Sequence, residues 1–320
     1  MIMPVKRDTS APPERIAVDP WQVPIRTVVA FDNSAAARSA VRLAASLATD
    51  GRISPILVEV SEPTLFNIGA PPPTPAAVAN AVLGSEARDG RHRVLKEVIG
   101  QVVPEAREWP MRLGDGDVSA QIDAAAVAEH APLVIMGLRP HRHLDRTLRL
   151  ETTVEVVRRD HVSVLGVLYG CEHRPRCIVV GTDFGQAGER AARLAATLLA
   201  PGGRLILVYA EAMFNYDAED REGVGIVHDE GVRAAFEKLR AALDLPAHAT
   251  VEGRNVDATP AQALLDTAGS VRADLIAIGR QRHSAASRAL LGSVSTDLLR
   301  DAHCSVLVTS TAPWSPRRGR

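Results

Sequence analysis

A glycine-bearing loop near the C-terminus has the residue types that hold a phosphate group. Gly279 ends a short apolar run, and Gly292-Ser293 stands just before a segment of helical period. A glycine at a strand end lets the backbone approach a ligand, and a helix that opens with Gly-Ser offers amide hydrogens and a hydroxyl to an anion. The pattern predicts a phosphate site, although Ser293 would serve equally well as an ordinary helix N-cap.

The other groups that could do chemistry are sparse. The sequence contains no G-x-S-x-G nucleophile elbow, no Walker A loop and no Ser/Gly-rich adenylating loop. His141 and His143 could supply two metal ligands, but a solvated basic loop is the simpler interpretation. We therefore expect no catalytic residue and no metal site.

The elements that must position the phosphate loop occur twice. Four blocks of similar sequence recur in the same order, at 28–32 and 179–183, 40–48 and 191–199, 131–137 and 273–279, and 158–165 and 300–307. Such self-similarity indicates a duplicated unit. The sequence predicts, in order, a disordered tail over 1–23, a first unit over 24–170, a linker over 171–175, a second unit over 176–310 and a basic tail over 311–320.

Within each unit, short apolar runs alternate with segments of helical period. Continuous apolar strands between helices indicate a parallel sheet that is covered on both faces. In the second unit the pattern predicts strands at 176–183, 204–210, 248–252, 274–279 and 304–310, and helices at 187–200, 228–243, 259–271 and 294–302. Open sheets of this kind bind ligands beyond the carboxyl ends of their strands, where the strand order reverses.

Composition limits the classes of function. Of the 320 residues 46% are apolar and 23% are charged, which is typical of a globular protein with a sizeable core. The 37 basic and 38 acidic residues give a net charge of −1, which does not support binding to nucleic acid or anionic membrane. The three cysteines have no metal or disulfide spacing, and no apolar run is long enough to span a membrane. We expect a cytoplasmic protein.

The loop that begins at Gly279 resembles the universal stress protein (UspA) family. Nucleotide-binding members carry G-x2-G-x9-G-[S/T] between the fourth strand and the fourth helix; Gly279, Gly292 and Ser293 match, and Arg282 replaces the second glycine. Three further segments, at 181–184, 207–210 and 304–308, are similar to the family's first, second and closing strands. The resemblance covers nearly the whole chain, twice, and identifies a tandem member.

The resemblance implies an α/β fold of two tandem flavodoxin-like, doubly wound parallel five-stranded sheets, order 3-2-1-4-5, of the adenine nucleotide α-hydrolase-like type. It also implies ATP, with or without Mg²⁺, between the ends of the first and fourth strands of the second unit. Asp183 would accept hydrogen bonds from ribose or adenine, Ala210 would touch the base, and Gly279 would let the ribose lie against the backbone. The implied site residues are Gly181, Thr182, Asp183, Ala210, Ile278, Gly279, Arg282, Gly292, Ser293, Val294 and Ser295.

Two of these residues have alternative interpretations. Arg282 could fill the phosphate channel, or it could swing outward and pair its guanidinium with a phosphate. Asp183 could instead be a polar residue that ends its strand.

The first unit departs from the family pattern. It keeps Gly137 but has Pro140, Leu150 and Glu151 where the family has glycine, glycine and serine. Leu150 adds a side chain where backbone must approach the ligand, and Glu151 places a negative charge at the helix terminus. The motif from Thr152 to Glu155 also predicts a capping box that would occupy the same amides. We expect no triphosphate in this unit, and we expect Asp32 to be a strand-end residue.

These patterns favour an ATP-binding stress regulator or sensor without efficient chemistry of its own. The alternatives are an interaction scaffold that has lost nucleotide binding and, less favoured, a slow ATPase or other α-hydrolase-type enzyme. The fifth strands, at 163–168 and 304–309, are predicted sheet edges, and exposed edges tend to pair. Because such edges are the usual dimer contact in the family, the resemblance implies a pseudo-dimer within the chain. It also allows a homodimer through the same edges, beside an unidentified protein partner.

Overall fold

A computed structural model describes residues 21–61, 84–138, 149–159, 162–211, 221–280 and 292–310. Only the backbone is described for 84–87, 149–151 and 221–229. Several predicted features lie outside the described residues: the N-terminal tail up to residue 20, the basic loop with His141 and His143, Arg282, and the C-terminal tail.

In its described residues the first unit alternates strands with helices. Its elements are β1 (Ile25–Ala30), α1 (Ala35–Thr49), β2 (Ile53–Ser61), α2 (Gly84–Val102), a 3-10 turn (Pro104–Glu108), β3 (Met111–Asp115), α3 (Val118–Ala128), β4 (Leu133–Leu138), α4 (Arg149–Arg158) and β5 (Ser163–Leu168).

The second unit repeats this order. Its elements are β6 (Cys177–Gly181), α5 (Gln186–Leu198), β7 (Arg204–Ala210), α6 (Arg221–Ala241), β8 (Thr250–Val256), α7 (Pro260–Val271), β9 (Leu275–Gly279), α8 (Ser293–Asp301) and β10 (Ser305–Thr309). The largest departures from the predicted bounds are α6, which begins at Arg221 instead of 228, and β8, which extends to Val256. β8 is mostly exposed and lacks the apolar run that marks the buried strands, so its sequence indicates its position poorly.

The ten strands form one sheet of order β3-β2-β1-β4-β5-β10-β9-β6-β7-β8. Each half has the predicted 3-2-1-4-5 order, and all pairs within a half are parallel. The halves meet where β10 pairs antiparallel with β5, with Leu307 opposite Leu165.

The fifth strands are edges of their own units and pair with each other, which is the contact through which the resemblance implies a pseudo-dimer within the chain. Each occupies the edge of the other, and the outer edges are β3 and β8. A second chain could pair with β5 or β10 only after this junction had opened, and the homodimer that the resemblance allows through these edges stays a prediction.

Aliphatic side chains fill both faces of the sheet. On one face α1 and α5 contribute Leu47 and Leu194 to one buried cluster. On the other face α3 and α7 contribute Ile122 and Leu264 to a second cluster. Each cluster includes residues of both units, so the core continues across the junction.

The linker is bonded to helices of both units. Arg174, whose side chain is only 6% exposed, forms an ion pair with Asp50 at the end of α1, with 2.8 Å between Nη1 and Oδ2. The same guanidinium donates hydrogen bonds to the backbone carbonyls of Leu198 and Leu199 at the end of α5. Arginine near a helix C-terminus satisfies carbonyls that have no partner within the helix. One buried side chain therefore joins the C-terminal ends of α1 and α5.

We expect Arg174→Met to lower the free energy of unfolding by about 2–4 kcal/mol, because the substitution leaves buried carbonyls and Asp50 without their donor. The measurement is urea unfolding followed by circular dichroism. Arg42→Met is the matched control, since Arg42 pairs with Glu172 in a more exposed contact of the same linker and should cost less than about 1 kcal/mol. Equal effects of the two substitutions would contradict the role given to Arg174.

Candidate functional site

A cleft of about 370 Å³ lies at the carboxyl ends of β6, β7 and β9. Of the eleven site residues that the sequence predicts, ten line this cleft: Gly181, Thr182, Asp183, Ala210, Ile278, Gly279, Gly292, Ser293, Val294 and Ser295. Arg282 lies outside the described residues, so the two alternatives for its side chain remain as the sequence leaves them. The strand ends and the start of α8 are thus brought together as expected from the topology.

The turn after β6 depends on Asp183. Its Oδ1 accepts a hydrogen bond of 3.0 Å from the amide of Gly185, and Thr182 Oγ1 accepts one of 2.9 Å from the amide of Phe184. The Asp183 side chain therefore helps to end the strand. This is the structural role that the sequence left open as an alternative to ligand binding. Because Asp183 is exposed and lines the cleft, a second role toward a ligand remains compatible with this geometry.

Aromatic packing supports the same turn. Phe184 has a φ of 59°, a left-handed conformation that is rare for a bulky residue. Its ring packs 5.0 Å from that of Tyr209 and 4.9 Å from that of Phe236, between centroids. These contacts stabilise the turn beside the cleft, and Tyr209 itself lines it.

The N-terminus of α8 opens into the cleft, and its N-cap residue supplies no side-chain cap. Gly292 is the N-cap residue, and its carbonyl accepts the first helical bond, 3.2 Å from the amide of Thr296. Ser293 is therefore the first helical residue. The alternative interpretation, in which Ser293 is an ordinary helix N-cap, does not hold. The first turn contains no acidic residue, so the positive end of the helix dipole is not neutralised there.

Gly279 is required by packing between backbone segments. An ideal Cβ at this position would lie 2.1 Å from the carbonyl oxygen of Ala187 in α5. The glycine thus allows β9 to approach the start of α5, which is a different reason from the ribose contact that the resemblance implies. A Cβ at Gly292 would meet nothing within 4 Å.

Arg280 is a cleft residue that the sequence analysis missed. Its side chain is buried, with 7% of the residue exposed, and Nη1 donates a 2.5 Å hydrogen bond to the carbonyl of Val157 at the end of α4. The contact joins the second cleft to a helix of the first unit. The position of Arg280, directly after Gly279, could have indicated a cleft residue. No local pattern indicates its hydrogen-bond partner, which lies 123 residues away.

Comparison with known proteins gives the same result for both halves. The model of the universal stress protein family matches residues 26–167 and 175–310. The chain belongs to the universal stress protein family. Universal stress protein Rv1636 of Mycobacterium tuberculosis is 31% identical over 144 residues, which are 42% of this chain and 97% of that protein.

Two solved structures of universal stress proteins align with this chain. A universal stress protein from Archaeoglobus fulgidus aligns with a TM-score of 0.58 at 18% identity and covers 90% of this chain and 98% of its own. A universal stress protein in complex with cAMP aligns at 28% identity over 43% of this chain and 99% of its own, with a TM-score of 0.33. The first of these supports the tandem arrangement of the fold.

The first unit of this universal stress protein retains a cleft of about 370 Å³ at the equivalent strand ends. Asp32 repeats the turn of Asp183, since its Oδ1 accepts a 3.0 Å hydrogen bond from the amide of Ser34. The predicted capping box is wrong, because α4 begins at Arg149 and Thr152 lies inside the helix. The motif from Thr152 to Glu155 is compatible with a helix interior, and its sequence alone does not distinguish the two positions.

Two of the three cysteines of this universal stress protein, Cys177 and Cys304, are buried and poorly placed for nucleophilic chemistry. All three are free, and Cys304 is buried beside β10. Burial, with a smaller contribution from the neighbouring Cys171, raises the pKa of the Cys304 thiol to about 12. Within the described residues, no three His, Cys, Asp or Glu side chains are grouped to hold a metal ion, and no helix is long and apolar enough to cross a membrane.

Proposed function

We propose that this universal stress protein binds ATP in the cleft of its second unit and acts as a nucleotide-dependent regulator of a stress response in the cytoplasm. The observation that carries the proposal is the N-terminus of α8 at the cleft, where the N-cap residue Gly292 supplies no side-chain cap. The residues from Gly292 to Ser295 present the four amides that an α-helix leaves without an internal partner. A phosphate group is the ligand that such an end favours.

The rest of the cleft suits the nucleoside part. Asp183 is an acceptor for ribose hydroxyls, and Ala210 lies at the end of β7, where an adenine ring can lie against the strand. The buried guanidinium of Arg280 adds positive charge to the wall. Mg²⁺ would arrive with the phosphates of the nucleotide, because the described residues offer no metal-binding group of their own.

A regulatory role fits this site better than catalysis. Among the described lining residues, Asp183 is the one carboxylate, and its engagement in the turn does not suit it to act as a general base. We therefore propose that any ATP hydrolysis is slow. A protein partner would then recognise the ATP-bound form, and a homodimer through β5 or β10 would require the junction of the two units to open.

Bound nucleotide can be tested directly on the purified full-length protein. We expect its heat-denatured supernatant to contain adenine nucleotide, and we expect isothermal titration of nucleotide-free protein to give one ATP per chain. cAMP, the ligand of one solved family member, is titrated in parallel to measure the preference for a triphosphate. If the supernatant contained no nucleotide and the protein did not bind ATP at millimolar concentration, the proposal would be contradicted. The interaction scaffold would then be favoured.

A further inference from the structure

We propose that the cleft of the first unit is a second ligand site, which takes a nucleoside without phosphate groups. The choice of a nucleoside rests on the function proposed for the second unit, because the two clefts occupy equivalent positions. The site itself rests on the cavity, the start of α4 and the charges of the first unit.

The cavity survives in spite of the altered loop sequence. It lies at the ends of β1, β2 and β4 and has about the same volume, 370 Å³, as the second cleft. Gly137 maintains the same approach of strand and helix as Gly279, since its Cβ would lie 2.6 Å from the amide nitrogen of Ala37 in α1. The part of the cleft that surrounds the strand ends is therefore retained.

The part that would hold phosphates is reduced. When the two units are aligned, Thr152 and Thr153 correspond to Val294 and Ser295. The amides of Val294 and Ser295 lie in the first turn of α8, where amides have no partner within the helix. Because α4 already begins at Arg149, the amides of Thr152 and Thr153 lie beyond its first three residues and bond within the helix. Half of the four-amide cradle is thus used internally.

The charge of the first cleft also disfavours a phosphate. Its described lining includes the carboxylates of Asp32 and Glu59 and no lysine or arginine. Glu59 replaces Tyr209 at the aligned position and forms an ion pair with Arg91, which also binds Asp115 at 2.8 Å. Carboxylates accept hydrogen bonds from ribose hydroxyls and amino groups, and the described lining has no counterpart of Arg280 to attract a phosphate.

Apolar side chains complete the cleft. Val60, Leu95, Ile122 and Met136 all line it, on four different elements. A planar base can lie against such a surface while the sugar meets the carboxylates and the hydroxyl of Ser34. A neutral nucleoside matches this combination of an apolar wall and hydrogen-bond acceptors.

The methyl group of Met136 provides a local measurement of binding. The chain contains five methionines, so the full-length protein labelled with ¹³C-methyl methionine gives a simple spectrum in which Met136→Leu assigns the signal. We expect adenosine to shift the Met136 signal in a saturable manner, and AMP to bind there about tenfold more weakly because its phosphate meets the carboxylates. Adenosine that leaves this signal unmoved at its solubility limit, or AMP that binds equally well, would overturn the proposal.

Two substitutions at aligned positions assign the binding events to the two clefts. Val60→Trp is expected to abolish the adenosine shift of Met136 and to leave ATP binding unchanged. Ala210→Trp is expected to abolish ATP binding and to leave the adenosine shift unchanged. Loss of the adenosine signal in Ala210→Trp alone would place adenosine in the second cleft and refute the proposal. If a tryptophan variant does not fold, the wild-type Met136 titration still decides. ATP that fails to bind while adenosine shifts Met136 would refute only the function proposed for the second unit.

Discussion

Gly292→Glu is expected to abolish ATP binding, with at least about a hundredfold loss of affinity. The new carboxylate would stand at the N-cap of α8, where the phosphates are proposed to lie, and repulsion of about 3 kcal/mol corresponds to that factor. The fold should tolerate the change, because a Cβ at this position meets no described atom within 4 Å and the φ of −57° is accessible to any residue. The measurements are isothermal titration with ATP and a thermal melt of the same sample.

Two controls separate charge, size and location. Gly292→Gln has nearly the same volume without the charge, so it should retain much more of the affinity than Gly292→Glu. Leu150→Glu places the same carboxylate at the aligned position of the first unit and should leave ATP binding unchanged. If Leu150→Glu abolished binding and Gly292→Glu did not, ATP would have to be assigned to the first unit.

Gly279→Ala is expected to lower the free energy of unfolding by about 1–3 kcal/mol, the typical cost of overpacking. The added Cβ would stand 2.1 Å from the carbonyl oxygen of Ala187, so β9 and α5 would have to separate. Since both elements border the second cleft, ATP affinity should fall together with stability. Urea unfolding and ATP titration of the same variant measure the two effects.

Substitutions at two other glycines test this explanation. Gly137→Ala should destabilise the protein for the same reason, since its Cβ would lie 2.6 Å from the amide nitrogen of Ala37, yet leave ATP affinity unchanged. Gly292→Ala should have little effect on stability. If Gly279→Ala had the same urea unfolding curve as the wild type, β9 and α5 could separate at little cost in free energy. That result would contradict the explanation.

The duplicated sheet has diverged mainly where phosphates would bind. Both units retain the glycine at the end of the fourth strand and the aspartate turn after the first strand. They differ at the start of the fourth helix: in α8 the N-cap is Gly292, which has no side chain to cap the helix, whereas α4 begins earlier, at Arg149. This asymmetry is the structural basis for assigning different ligands to the two clefts.

The sequence alone was sufficient for the unit repeat, the order of strands and helices, and the ten described residues that surround the second cleft. The repeat and the order of elements follow from local patterns, because apolar periodicity determines elements, and parallel topology brings the carboxyl ends of strands together. The ten residues themselves were implied by the resemblance to the universal stress protein family. Local patterns failed where two structures share one motif: Thr152 to Glu155 suits a helix start and a helix interior equally well.

The resemblance implied that the two units pair through their fifth strands, and the tertiary structure decided the form of that junction. It pairs β5 with β10, so that two predicted edges lie in the middle of one sheet. It places Arg280 on the carbonyl of Val157 and Arg174 on Asp50, contacts between residues more than 120 positions apart. It also keeps the first cleft open after its loop has lost the glycine pattern. Such contacts depend on how complete surfaces meet, and the neighbours of a residue along the chain do not determine that.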